Sequence, residues 1–134
     1  MYKENRNSDI LCITNRKLCR EDFITRMRKI AAAHPAAVVV REKELLEKEY
    51  MELAEKILNI CREQETVCIL HSFPEAALEL GCDSLHLPLP VLMKMEPGKR
   101  QSFRVLGASC HSVEDAVLAE KLGCTYITAG HIFD

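Results

Sequence analysis

No apolar run in this chain approaches the roughly 20 residues a spanning helix requires. The longest candidate, "AAAHPAAVVV" at 31–40, is cut by His34 and Pro35. The first residues, "MYKENRNSD", lack the apolar core of a secretory signal, so a cytosolic protein is expected. Neither sign of charge dominates: 18 Lys and Arg against 20 Asp and Glu give a net charge of −2. That balance leaves no basic footprint for nucleic acid, and 48% apolar residues argue against disorder. There is also no C-x-x-C pair among the seven cysteines Cys12, Cys19, Cys61, Cys68, Cys82, Cys110 and Cys124. A zinc ribbon or disulfide scaffold is therefore disfavoured, and reduced, buried thiols are expected.

What is present is a regular alternation. Short β-branched runs at 9–14, 36–41, 66–70, 83–87, 103–109 and 124–130 read as strands buried on both faces. Helical periodicity lies between them. Phe23, Met27, Ile30 and Ala31 form one stripe, and Leu46, Tyr50, Leu53, Ala54, Ile57 and Cys61 form a longer one. In "SFPEAALELG", Ser72 and Glu75 stand in capping-box register, Pro74 fits a first turn and Gly81 an end. "SVEDAVLAEKLG" repeats the arrangement with Ser112, Asp115 and Gly123, while 88–101 holds too many prolines for more than a short helix. Two Leu-Gly-Cys turns, each between a helix and a strand, mark repeated βα units. The expected fold is α/β, of the (β/α)8 TIM-barrel type or a doubly wound sheet, in one domain over 1–134.

In either parallel fold the chemistry collects at the carboxyl ends of the strands. Those ends carry Thr14, Asn15 and Arg16; Arg41, Glu42 and Lys43; His71 and Ser72; His86; Ser109, Cys110 and His111; and His131. If their strand extends through them, Arg41 and Lys43 share a face and hold one anion; the alternative is a solvated helix start. Ser72 is read as a helix cap and His71 stays open. His86, inside a strand, is either a satisfied structural histidine or a catalytic one. "GASCHS" places small residues at a strand end, which lets backbone approach a ligand that Ser109 and His111 can hydrogen-bond. Two residues of separation disfavour His111 as base for Ser109, and no short spacing supports a metal cluster of His71, His111 and His131. His131, directly after Gly130, is either an acid/base or a loop residue.

Four segments, "VVVREKELLEKEY", "LGCDSLHLP", "GASCHS" and "LGCTYITAGHIFD", together resemble in order and spacing the thiamine phosphate synthase/TenI superfamily of (β/α)8 barrels, from about residue 9 onward. The resemblance implies thiamine biosynthesis. Synthases of that superfamily join a pyrimidine pyrophosphate to a thiazole phosphate with magnesium held by two aspartates. The family's Asn-Asp pair falls here on His71 and Ser72, its later aspartate at or near Val91, and its glutamine on Val39. Hard carboxylate ligands for a dipositive metal are thus missing by resemblance.

The TenI-type branch is similar at "GHIF", whose histidine is His131. The resemblance implies a metal-independent thiazole tautomerase that needs no cofactor. His131 would be the acid/base, Arg41 and Lys43 would attract a carboxylate or phosphate, and His71, Ser109 and His111 would contact substrate. The magnesium-dependent synthase is the runner-up, and a non-catalytic phosphate-ligand-binding remnant the third reading. The expected partners are a small phosphorylated thiazole or pyrimidine, with neither nucleic acid nor membrane. Only about six of eight βα units are legible, so an incomplete barrel and a homo-oligomer are expected.

Overall fold

The computed structural model describes residues 7–130, so the His131 expectation lies outside the described residues. Along the described residues strands are followed by α-helices, two of them between β4 and β5: β1 (Asn7–Ile13), α1 (Phe23–Ala32), β2 (Pro35–Val40), α2 (Glu47–Glu63), β3 (Cys68–His71), α3 (Pro74–Glu79), β4 (Ser84–Pro88), α4 (Leu89–Lys94), α5 (Pro97–Arg100), β5 (Val105–Cys110), α6 (Val113–Lys121) and β6 (Tyr126–Ala129). The chain divides into two compact units, Met1–Leu70 and His71–Asp134.

In the first unit β1 pairs with β2 and β2 with β3, both in parallel. Val38, Val39 and Val40 are buried, as expected for a strand covered on both faces. Met27 and Ala31 bury the inner stripe of α1, and Tyr50, Ala54, Ile57 and Cys61 that of α2. The buried Tyr50 hydroxyl donates to the Val40 carbonyl, which ties α2 to the carboxyl end of β2. Both helices close on a non-glycine residue in the left-handed region, His34 at φ +53° and Glu65 at φ +55°.

In the second unit β4 pairs with β5 and β5 with β6, again in parallel. Leu85, Leu87, Leu106, Ala108 and Cys110 are buried on one set of alternating positions. Ser112 caps α6 by accepting from the Asp115 N–H at 3.0 Å, and Gly123 follows that helix at φ +98°. Pro74 opens α3 and Gly81 follows it at φ +69°, both as expected. The prolines between β4 and β5 open two short helices, α4 and α5.

Three expectations are corrected. Ser72 does not cap α3: Phe73 occupies the cap position, with no side-chain bond, and Ser72 sits one residue earlier at φ +74°. β2 stops at Val40, before Arg41 and Lys43, so the alternation that would align them on one strand face does not apply. None of the seven cysteines is in a disulfide, but Cys12, Cys19 and Cys124 are only half-buried. No helix among the described residues is long and apolar enough to cross a membrane.

Candidate functional site

In the first unit the loops after β1 and β2 are laced together. The buried Glu42 carboxylate accepts the Arg16 backbone N–H through both oxygens at 3.0 Å. The Thr14 hydroxyl accepts the Arg41 N–H at 3.0 Å, and the Arg16 guanidinium pairs with Glu44 at 3.0 Å. Glu42 thus ties the loop that follows β2 to the loop that follows β1. Arg41 is half-buried, Lys43 is exposed, and neither has an ion-pair partner among the described residues. A cavity of about 440 Å³ in this unit, lined by Phe23, Met27, Ile30 and Val38 among others, includes neither cation.

In the second unit the strand ends converge on His86. This ring is buried and bridges two hydroxyls: Nδ1 lies 2.7 Å from Tyr126 Oη, and Nε2 lies 2.8 Å from Ser109 Oγ. His71 stacks on it with ring centroids 5.1 Å apart and planes 20° from parallel. His71 Nδ1 in turn lies 2.5 Å from Ser72 Oγ, and the Ser72 N–H donates to the His86 carbonyl at 3.0 Å. Those two bonds hold Ser72 in its left-handed conformation, which is costly for a residue with a Cβ.

Register explains how Tyr126 reaches His86. His86 pairs with Gly107, and Gly107 with Tyr126, so the three stand side by side on one face. Two strand spacings of about 4.8 Å separate the outer pair. A Cβ on Gly107 would lie 2.1 Å from Cζ and 2.5 Å from the hydroxyl of Tyr126, so the phenol crosses the space a side chain would fill. Burial pushes the Tyr126 phenol well above its ordinary pKa of 10.0, and it keeps its proton.

Of the sequence candidates, His71 and Ser109 join this cluster around His86. His111 does not: it is exposed, and its Nδ1 lies 2.6 Å from the Gly130 carbonyl, so that nitrogen carries the proton and donates. Its backbone N–H donates to the Asp115 carboxylate at 2.9 Å. Sequence reasoning missed Tyr126, and it placed Glu42 at a strand end without giving it a role. The available signal for Tyr126 was a glycine inside a strand, which marks a close approach; at Gly107 the group that approaches is Tyr126.

The cluster offers imidazole nitrogens and hydroxyls and no carboxylate. Such groups suit hydrogen bonding and proton movement, and they do not suit magnesium, which takes hard carboxylate oxygens. Among the described residues no group of three or more His, Cys, Asp or Glu is arranged to hold a metal ion.

Parallel βα units with a polar cluster at their strand ends define an α/β chain of the incomplete TIM-barrel type. Residues 10–134 match the model of the thiamine monophosphate synthase (TMP-TENI) family, and the chain belongs to that family. It is 30% identical to a thiamine-phosphate synthase of Caldanaerobacter subterraneus subsp. tengcongensis, over 92% of this chain and 59% of that protein. It is 32% identical to one of Coprothermobacter proteolyticus, over 90% of this chain and 58% of that protein. Among solved structures, thiamine phosphate pyrophosphorylase from Pyrococcus furiosus superposes with a TM-score of 0.75 at 25% identity, over 92% of this chain and 60% of that one. The chain thus spans about three-fifths of the length of these relatives.

Proposed function

We propose that this protein moves a proton on a small phosphorylated heterocycle, acting as a metal-independent thiazole tautomerase within thiamine biosynthesis. The observation that carries the reading is His86 held between the Ser109 and Tyr126 hydroxyls, with His71 stacked beside it. An aromatising proton shift needs groups that give and take protons near neutrality, and imidazole and hydroxyl groups supply them. His131 acts as the acid/base, and His111, bonded to the Gly130 carbonyl, anchors the chain at the preceding residue. His71, Ser109 and His111 contact the substrate, and Arg41 and Lys43 attract the carboxylate or phosphate. The protein works in the cytosol as a homo-oligomer.

A second reading is favoured by the relatives, which are thiamine-phosphate synthases: magnesium-dependent coupling of a pyrimidine pyrophosphate with a thiazole phosphate. Ser72, matched to one of the family's two metal-binding aspartates, and the stretch at or near Val91, matched to the other, weigh against it; Val91 is an exposed apolar residue on α4. One experiment separates the readings. The chain is given the non-aromatic thiazole carboxylate phosphate in chelator, and in parallel the two synthase substrates with magnesium. Aromatisation in chelator supports the tautomerase, and thiamine phosphate formed only with magnesium refutes it. Retained ligand binding with no turnover in either assay, unchanged in His131→Ala, would leave a non-catalytic phosphate-binding role.

A further inference from the structure

We infer that Thr128 is a further substrate-contacting residue, whose hydroxyl stands beside that of Ser109 and hydrogen-bonds the neutral heterocyclic ring of the ligand, not its phosphate. The inference rests on the proposed function and deepens it by naming what holds the ring in the second unit.

Register places Thr128. Side chains alternate along a strand, and Tyr126 points to the face of His86, whose Nδ1 its hydroxyl meets at 2.7 Å. Thr128, two residues further along β6, lies on that same face and one step nearer the carboxyl end of the strand. Ser109 also faces His86, with 2.8 Å between Oγ and Nε2, and it pairs with Thr128 in register. Adjacent strands run about 4.8 Å apart, so the two hydroxyl-bearing side chains are immediate neighbours. On the other side of Ser109 the register partner is Pro88, whose side chain has no polar group. Pro88, Ser109 and Thr128 thus form a row on the carboxyl-end side of the row of His86, Gly107 and Tyr126.

The three hydroxyls of these rows are not equally engaged. Those of Tyr126 and Ser109 are bonded to His86, whereas the half-buried Thr128 hydroxyl has no hydrogen-bond partner among the described residues. A hydroxyl both donates and accepts, so Thr128 brings unused bonding capacity to the strand ends, where parallel α/β folds bind their ligands.

Charge decides which part of the ligand it meets. The Lys and Arg residues of this unit are Lys94, Lys99, Arg100, Arg104 and Lys121. They stand on α4, α5 and the end of α6 or, for Arg104, directly before β5. Among the described residues, the carboxyl ends of β3, β4, β5 and β6 carry none of them. A phosphate dianion takes its strongest hydrogen bonds from fixed cations, while a ring heteroatom is satisfied by a neutral hydroxyl. Ser109 and Thr128 therefore suit the ring.

The test is binding, read by calorimetry and independent of turnover, with a hydroxyethyl thiazole and its phosphate ester as the two probes. Thr128→Val removes the hydroxyl and keeps the β-branch; it should weaken both probes by the same factor, about three- to tenfold, the worth of one neutral hydrogen bond. Thr128→Ser keeps the hydroxyl and should bind both within about twofold of wild type. A loss confined to the phosphate ester would overturn the inference, as would Thr128→Val binding like wild type or Thr128→Ser losing as much as Thr128→Val. Thr128→Ala supplies the same comparison if the valine variant fails to fold. Wild type that binds neither probe would overturn the proposed function together with the inference. Binding that follows the expected pattern without turnover would count against tautomerisation and support the Thr128 contact.

Discussion

Placing a methyl group on Gly107 tests the geometry of the cluster. The added carbon would lie 2.1–2.5 Å from three atoms of the Tyr126 side chain, well inside contact distance. The ring must therefore move, and overpacking of this kind costs about 1–3 kcal/mol. Displacing the phenol also breaks its 2.7 Å bond to His86, worth about 1 kcal/mol net. Gly107→Ala is thus expected to destabilise by about 2–4 kcal/mol, the sum of those two effects. In a Tyr126→Ala background the obstacle is gone, and the same change should be neutral or stabilise by about 0.5 kcal/mol, since alanine restricts the unfolded chain. Urea denaturation of the four proteins measures the coupling, which should exceed about 1.5 kcal/mol. Additive effects within about 0.5 kcal/mol would show that Tyr126 does not occupy the space above Gly107.

Other consequences are smaller and independent. Glu42→Ala removes a buried acceptor of the Arg16 N–H and should cost about 2 kcal/mol in urea denaturation, loosening the loops after β1 and β2. Glu65→Gly, at φ +55° after α2, should raise stability by about 0.5–1 kcal/mol in the same assay. Asp22 caps α1, and bonds from the Thr25 N–H and hydroxyl hold its carboxyl below the ordinary 3.8. Its stabilisation is therefore present above pH 3.8 and lost as pH falls through the depressed value. The stability difference between wild type and Asp22→Ala should vanish on acidification through that window. Burial, reinforced by neighbouring Cys110, raises the Cys124 thiol to about 11 from its ordinary 9.0. About a hundredfold less thiolate near neutrality should make Cys124 slow to alkylate, with mass spectrometry of iodoacetamide-treated protein as the check.

The parts legible in the sequence are those fixed by local chemistry. Ser112 with Asp115, Pro74, Gly81 and Gly123 each act within one turn of chain, and each takes its expected place. Ser72 shows where local reading stops. Its capping pattern with Glu75 is correct in spacing, yet its N–H is taken by the His86 carbonyl and its hydroxyl by His71. The strand-face alignment of Arg41 and Lys43 fails similarly: alternation matters only in a strand, and β2 ends at Val40, before either residue. The link from His86 to Tyr126 spans three strands of the second unit. It depends on a register that no window of a few residues contains. The chemical character of the site was nevertheless visible, because His71, His86 and Ser109 stand at strand ends whatever their partners.

The most direct test follows the non-aromatic thiazole carboxylate phosphate by ultraviolet absorbance in the presence of EDTA, with wild type, His131→Gln and His86→Gln compared. Wild type is expected to aromatise the tautomer without metal, and each variant to lose at least about tenfold in rate, the usual lower range for removing an acid/base group or its support. Wild-type rates that require magnesium, or variants that stay within a few-fold of wild type, would contradict proton transfer by this histidine set.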